Sequence, residues 1–158
     1  MAERILIPLD GSAVGEAALH YIEETVSKLK PEEKPEITLF YVVAAQIRLL
    51  ATEAGPVEVP YSDKELEQAK KVALDYLNKA AEALRSKGVV VNCKVAAGKA
   101  ADEIIKAERE VDADLVAMST HGRSGFSRWA FGSVTDKVLR GGKVPVLMVR
   151  VAERAAKK

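Results

Sequence analysis

The chain is short of cysteine, of histidine and of net charge, and each shortage removes a class of function. A single cysteine, Cys93, excludes an intrachain disulfide and a cysteine-based zinc cluster. It stands in the apolar run Val89 to Val95, where a buried, inert thiol is expected rather than a reactive one. Of the two histidines, His121 has no second imidazole or thiol near it, which argues against a metal site, and His20 falls on a helical segment where a structural role is expected. Twenty-four basic side chains against 23 acidic ones leave a formal charge of +1, so nothing points to nucleic acid or an anionic membrane as a partner. No apolar run approaches the roughly 18 residues of a membrane span. The segment MAERILIPLDG also places charges and a proline where a secretion signal needs an apolar core. A soluble cytoplasmic protein is the expectation.

Several motifs are missing as well. No G-x-x-x-x-G-K-[ST] occurs, and Gly98-Lys99-Ala100 lacks both the upstream glycine and the hydroxyl of a P-loop. No G-x-G-x-x-G follows the first apolar run, and a G-x-S-x-G nucleophile elbow is absent. A receiver domain would need an acidic cluster at two strand ends, where only Asp10 is available. With no evident general base or nucleophile, binding is favoured over fast chemistry.

What is present is an alternation. At 158 residues the chain suits one domain with a substantial core. Apolar runs of strand length at Arg4 to Leu9, Glu36 to Val43, Val89 to Val95, Asp114 to Met118 and Val144 to Val151 are separated by longer segments of helical period. This is the pattern of βαβ units: an α/β, single-domain, five-stranded parallel open sheet with helices on both faces. Ala18, Ile22, Val26 and Leu29 share one face of a first helix, and a second runs from Ser62 to a stop at Gly88. A third helix spans Ala100 to Glu110, and a last one Ser133 to Arg140. Between Ala44 and Pro60 the chain holds Gly55, Pro56 and Pro60 but also Ile47, Leu49 and Leu50, which reads as a flexible excursion with a short helical piece. A connection of that length serves either as a lid over a site or as a plain surface loop.

In an open parallel sheet, ligands collect at the carboxyl ends of strands where the strand order reverses. Three features fall at such ends: Asp10 to Ser12, Val42 to Ala44, and Ser119 to Gly125. Asp10 reads either as an acceptor for a ribose hydroxyl or a water-bridged metal, or as the opening of an ordinary Asp-Gly-Ser turn. The stretch STHGRSGFSRWAFGSVT, Ser119 to Thr135, reads as a glycine-punctuated loop that ends on a helix N-terminus, an arrangement that cradles phosphate. Arg123 and Arg128 add positive charge there. Ser133 and Asp136 form a capping pair in the plainer reading of the same residues.

The segments ILIPLDGS, Ala113-Asp114-Leu115-Val116 and above all THGRSGFSRWAFGSVTDKVLRGGKVPVLMVR resemble the universal stress proteins, over almost the whole chain. The nucleotide-binding branch of that family carries G-x-x-G, nine residues, then G-[ST]. Gly122, the nine residues Arg123 to Phe131 and Gly132-Ser133 match this pattern, whereas Ser119 stands where the family has its first glycine. The resemblance implies a Rossmann-like fold of the adenine nucleotide alpha-hydrolase type over residues 1–152, followed by a basic tail, 153–158. It implies an ATP or other adenine-nucleotide site: Asp10 toward the ribose, Pro8 and Val42 along the adenine, and Met118 to Arg123, with Ser119 and Gly122 among them, around ribose and phosphates. Gly125 belongs to the same loop, and Gly132, Ser133 and Val134 would donate N–H groups to the phosphates, which would share Mg2+ or Mn2+. It further implies a homodimer through Val144 to Val151. Two functions remain open at this point: a nucleotide-binding regulatory module with at most slow hydrolysis, and a dimeric stress scaffold that binds no nucleotide. A flavodoxin-like FMN carrier is a more distant reading.

Overall fold

The computed structural model describes residues 3–44, 48–122 and 132–152. Strand β1 (Arg4–Leu9) leads through helix α1 (Glu16–Ser27) and a single 3-10 turn at Pro31–Glu33 to strand β2 (Glu36–Val43). Next come two short strands, β3 (Arg48–Thr52) and β4 (Gly55–Val59), and the long helix α2 (Asp63–Ser86). The chain continues as β5 (Val91–Ala97), α3 (Ala100–Glu110), β6 (Leu115–Gly122), α4 (Ser133–Gly141) and β7 (Val146–Ala152). Five strands form one sheet in the order β5-β2-β1-β6-β7, every neighbouring pair parallel.

The strand order explains where the helices lie. From β1 the chain moves outward to β2 and β5, then returns past β1 to β6 and β7, so right-handed crossovers put the two sets of helices on opposite faces. Side-chain alternation within β1 follows: Ile5, Ile7 and Leu9 pack in a cluster with Leu19, Ile22 and Val26 of α1 and Leu77 and Leu84 of α2. Leu6 points the other way, into a cluster with Ile104 and Ala107 of α3 and Val138 of α4. Burial on both sides is why these strands read as continuous apolar runs. Helix α2 starts where expected, because the Ser62 side chain accepts from Glu65 N–H at 3.2 Å while Glu65 accepts from Ser62 N–H at 3.1 Å. It ends at Gly88, whose φ of +77° lets the Val89 N–H turn back to the Leu84 carbonyl at 3.2 Å.

Three expectations need correction. The connection after β2 holds no helical piece among its described residues; it carries an antiparallel hairpin in which Leu50 faces Val57 across the ladder, and Ile47 lies outside the described residues. Proline and glycine had suggested irregular chain, yet Gly55, with φ +113°, closes the hairpin against Thr52 and Pro56 sits on an edge. The fourth strand of the sheet runs past Met118 to Gly122, because Ser119 to Gly122 pair with Val149 to Ala152. Residues expected to open the loop are therefore strand residues. Finally, α4 is capped by Gly132 without a side-chain bond, so Ser133 is its first helical residue, and Asp136 instead binds Arg140 at 2.9 Å.

Candidate functional site

The carboxyl ends of β1, β2 and β6 surround a cavity of about 1170 Å3, closed on its sides by α2 from Lys64 to Tyr76 and by the N-terminal parts of α3 and α4. It lies where the strand order reverses, with β1 at the centre and β2 and β6 on either side. After β1, the Asp10 carboxylate folds back so that one oxygen accepts from the Ser12 N–H at 2.9 Å and from the Ser12 hydroxyl at 2.5 Å. Its other oxygen has no partner among the described residues. Gly15 is held by space: a Cβ there would stand 2.6 Å from that bonded Asp10 oxygen. No sequence motif announced this glycine.

Aromatic and acidic groups shape the end of the cavity toward α2. Tyr41 and Tyr76 meet edge to face, ring centres 5.9 Å apart. The Tyr41 hydroxyl donates to the Asp10 carbonyl at 3.3 Å, and the Tyr76 hydroxyl to Glu16 at 2.7 Å. Burial pushes the Tyr76 phenol well above its ordinary range, and its bond to Glu16 and the nearby negative charges of Glu16 and Asp10 push it further, so the ring stays neutral. The opposite end is electropositive. The N–H groups of Ser133, Val134 and Thr135, in the first turn of α4, have no acceptor among the described residues. By contrast, the N-terminus of α1 is spent: its third N–H, on Ala18, donates to the Ser119 hydroxyl at 2.7 Å, which in turn donates to the Gly15 carbonyl at 3.1 Å. The start of α4 is thus left open where that of α1 is not.

Residues 1–150 match the family model described as the universal stress protein family. The chain belongs to that family. It is 30% identical to the universal stress protein YxiE of Bacillus subtilis over 95% of this chain and the whole of that one. Among solved structures it is similar to the protein MJ0577 of Methanocaldococcus jannaschii, with a TM-score of 0.68, 23% identity, and coverage of 96% of this chain and 98% of that one. It is also similar to a universal stress protein from Archaeoglobus fulgidus solved in complex with dAMP, with a TM-score of 0.58, 17% identity, and coverage of 92% and 95%. The five-stranded parallel sheet with helices on both faces is the fold of these structures.

Against the family pattern, the residues named from sequence divide into groups. Pro8, Asp10, Val42, Met118, Ser119 and Val134 line the cavity together. Ser133 lines a smaller chamber that adjoins it. Gly132 caps α4, and Gly122 pairs with Ala152 at the end of β6. Arg123, Gly125 and Arg128, like the tail 153–158, lie outside the described residues. Ser119 does not need the positive φ that a glycine would permit, since it is a strand residue and its hydroxyl ties β6 to α1. Sequence reasoning missed Tyr41, Lys64, Gln68, Tyr76 and Thr135, all on the cavity wall. Lys64 and Gln68 are four residues apart on α2, a spacing that sequence alone assigns to a solvated face as readily as to a site.

Elsewhere, His20 is an exposed surface residue near Glu16 and Glu23, and Cys93 is half-buried, its thiol pushed up by burial against the opposing pull of Arg85. Among the described residues no group of three histidine, cysteine or acidic side chains could hold a metal ion. None of the described helices is long and apolar enough to cross a membrane.

Proposed function

We propose that this chain binds an adenine nucleotide in the cavity at the carboxyl ends of β1, β2 and β6, and that it acts as a nucleotide-responsive module in a stress response. One observation carries the reading: a mostly apolar cavity of nucleotide size joins the free oxygen of Asp10 at one end to an open helix N-terminus at the other. The base lies against the ends of β1 and β2, beside Pro8 and Val42. Asp10 accepts from a ribose hydroxyl, and the phosphates lie toward α4, with Mg2+ or Mn2+ shared among their oxygens. The dAMP complex of the Archaeoglobus fulgidus relative supports an adenine nucleotide as the ligand class.

The test is thermal melting with MgATP. Ligand at about 100 times its dissociation constant stabilises by about 2.7 kcal/mol, which for a domain of this size raises Tm by roughly 5–10 °C. No shift at millimolar MgATP overturns the reading. Gly132→Val serves as the companion variant: a Cβ at Gly132 meets nothing within 4 Å among the described residues, and its φ of −54° suits any residue. The fold survives that change and the shift should vanish. The reading also takes β7, an edge of the sheet, as the homodimer contact. Sedimentation of a strictly monomeric protein at high micromolar concentration would remove that part.

A further inference from the structure

The hairpin of β3 and β4 stands apart from the rest of the molecule. Its strands pair with each other, and neither makes an extended contact with any other described element. A two-stranded hairpin is marginally stable by itself in water, and this one also carries an unpartnered apolar face. Leu50 pairs with Val57, Val59 lies two residues along on the same side, and Leu50 and Val57 are 41% and 46% exposed. The register turns Leu49 and Glu58 to the opposite side.

The connection leaves from the cavity and returns to it. Val43 and Ala44, at the end of β2, line the cavity, and so do Lys64 and Glu65 in the first turn of α2. Between these anchors no residue of the hairpin lines it. A strand of five residues spans about 17 Å, whereas the carboxyl ends of β2, β1 and β6, successive neighbours in the sheet, span about 10 Å. A hairpin rooted at β2 is therefore long enough to cross the mouth. Val72, on the α2 wall of the cavity and 59% exposed, offers an apolar landing place at the rim. A second copy suits the face less well, because β7, the proposed dimer edge, lies three strands away from β2.

On the adenine-nucleotide reading above, we propose that the hairpin of β3 and β4 is a lid that closes over the occupied cavity, setting Leu50 and Val57 against Val72 and the open edge of the ligand. Closure removes apolar surface of the hairpin, the rim and the base from water together, so a bound ligand favours the closed state over the open one. The lid sets how fast the ligand leaves, and its position reports occupancy at the surface of the protein.

Hydrogen exchange of the full chain, with and without saturating MgATP, tests the closure in the unaltered protein. Backbone amides of residues 48–59 should exchange at least tenfold more slowly with nucleotide bound. Release of N-methylanthraniloyl-ATP, chased with unlabelled ATP in stopped flow, tests what closure does. Leu50→Ser with Val57→Ser should speed release at least tenfold and change association less than threefold. Val72→Ser should speed release too, and adding it to the hairpin pair should have less effect than the product of the two, since both remove one contact. Unchanged hairpin exchange with nucleotide bound, release from the hairpin variant at the wild-type rate, or fully multiplicative effects overturns the lid while the adenine-nucleotide reading stands. Hairpin protection that rises with protein concentration and not with nucleotide makes the face a contact between copies, which also overturns it. No binding of either nucleotide by wild type overturns both.

Discussion

Removing the Ser119 hydroxyl should destabilise the protein in the absence of any nucleotide. In Ser119→Ala the Ala18 N–H loses its acceptor at 2.7 Å and the Gly15 carbonyl loses its donor at 3.1 Å. Ala18 is fully buried, so water does not replace the lost acceptor. Leaving a buried donor unsatisfied costs about 1–3 kcal/mol, and loss of a helix N-terminal acceptor falls in a similar range of about 0.5–2 kcal/mol. We expect a loss of about 2 kcal/mol, which at roughly 2–4 °C per kcal/mol for a domain of this size lowers Tm by about 4–8 °C. Circular-dichroism melts and urea titrations of the nucleotide-free protein read this directly. The urea slope should be unchanged, since no surface is newly exposed. Ser119→Thr keeps a hydroxyl and should recover at least half of the loss. Ser119→Gly, the residue of the family pattern, should lose more than alanine, because glycine adds a backbone-entropy cost of about 0.5–1 kcal/mol within a strand. If the alanine variant melts within about 1 °C of wild type, or the glycine variant is as stable as the parent, then the hydroxyl does not tie β6 to α1 as argued.

Two further outcomes follow from other parts of the fold. Gly142→Ala should lower stability by about 2 kcal/mol or more, because the new Cβ would stand 2.8 Å from the Val138 carbonyl and 2.7 Å from a carboxylate oxygen of the buried Glu108. Adding Glu108→Ala should recover only part of the loss, since the carbonyl remains, and a Gly142→Ala protein that melts like wild type would sink the steric account. Acid stability should depend on Glu23, whose carboxyl is held below its ordinary value chiefly by the hydrogen bond from Lys87 at 2.7 Å. A depressed carboxyl pKa stabilises the fold above the unfolded value of 4.5, and that contribution disappears as pH falls through the folded value. Lys87→Met should therefore show a smaller loss of Tm than wild type between about pH 5 and pH 3. Equal slopes in the two proteins would contradict it.

Much of this architecture is legible in the order of residues because its causes are local. Ser62 and Glu65 cap α2 through a three-residue spacing, Gly88 ends it by a backbone freedom only glycine has cheaply, and the doubly buried strands announce themselves as unbroken apolar runs. Asp10, Val42 and Ser119 could also be named in advance, since topology places strand ends around a reversal point, while Pro8, Met118 and Val134 were implied by the resemblance to the universal stress proteins. The hairpin after β2 escaped because its pairing of Leu50 with Val57 is a register between two strands, which apolar spacing within one segment does not encode. Ser133 and Asp136 had the spacing of a capping pair, but Gly132 took the cap and Arg140, one turn on, took the carboxylate.

The sequence by itself determined the family, the parallel sheet and the strand ends that meet at the cavity, because hydrophobic period, glycine placement and short motifs act over a few residues. Only the tertiary structure decided what the site is made of. Contacts between residues far apart in the chain made Ser119 the cap of a helix a hundred positions away, set the Tyr76 phenol on Glu16, and left Thr135 buried on the cavity wall. Those are consequences of packing, and packing is fixed only when the whole chain has closed around its sheet.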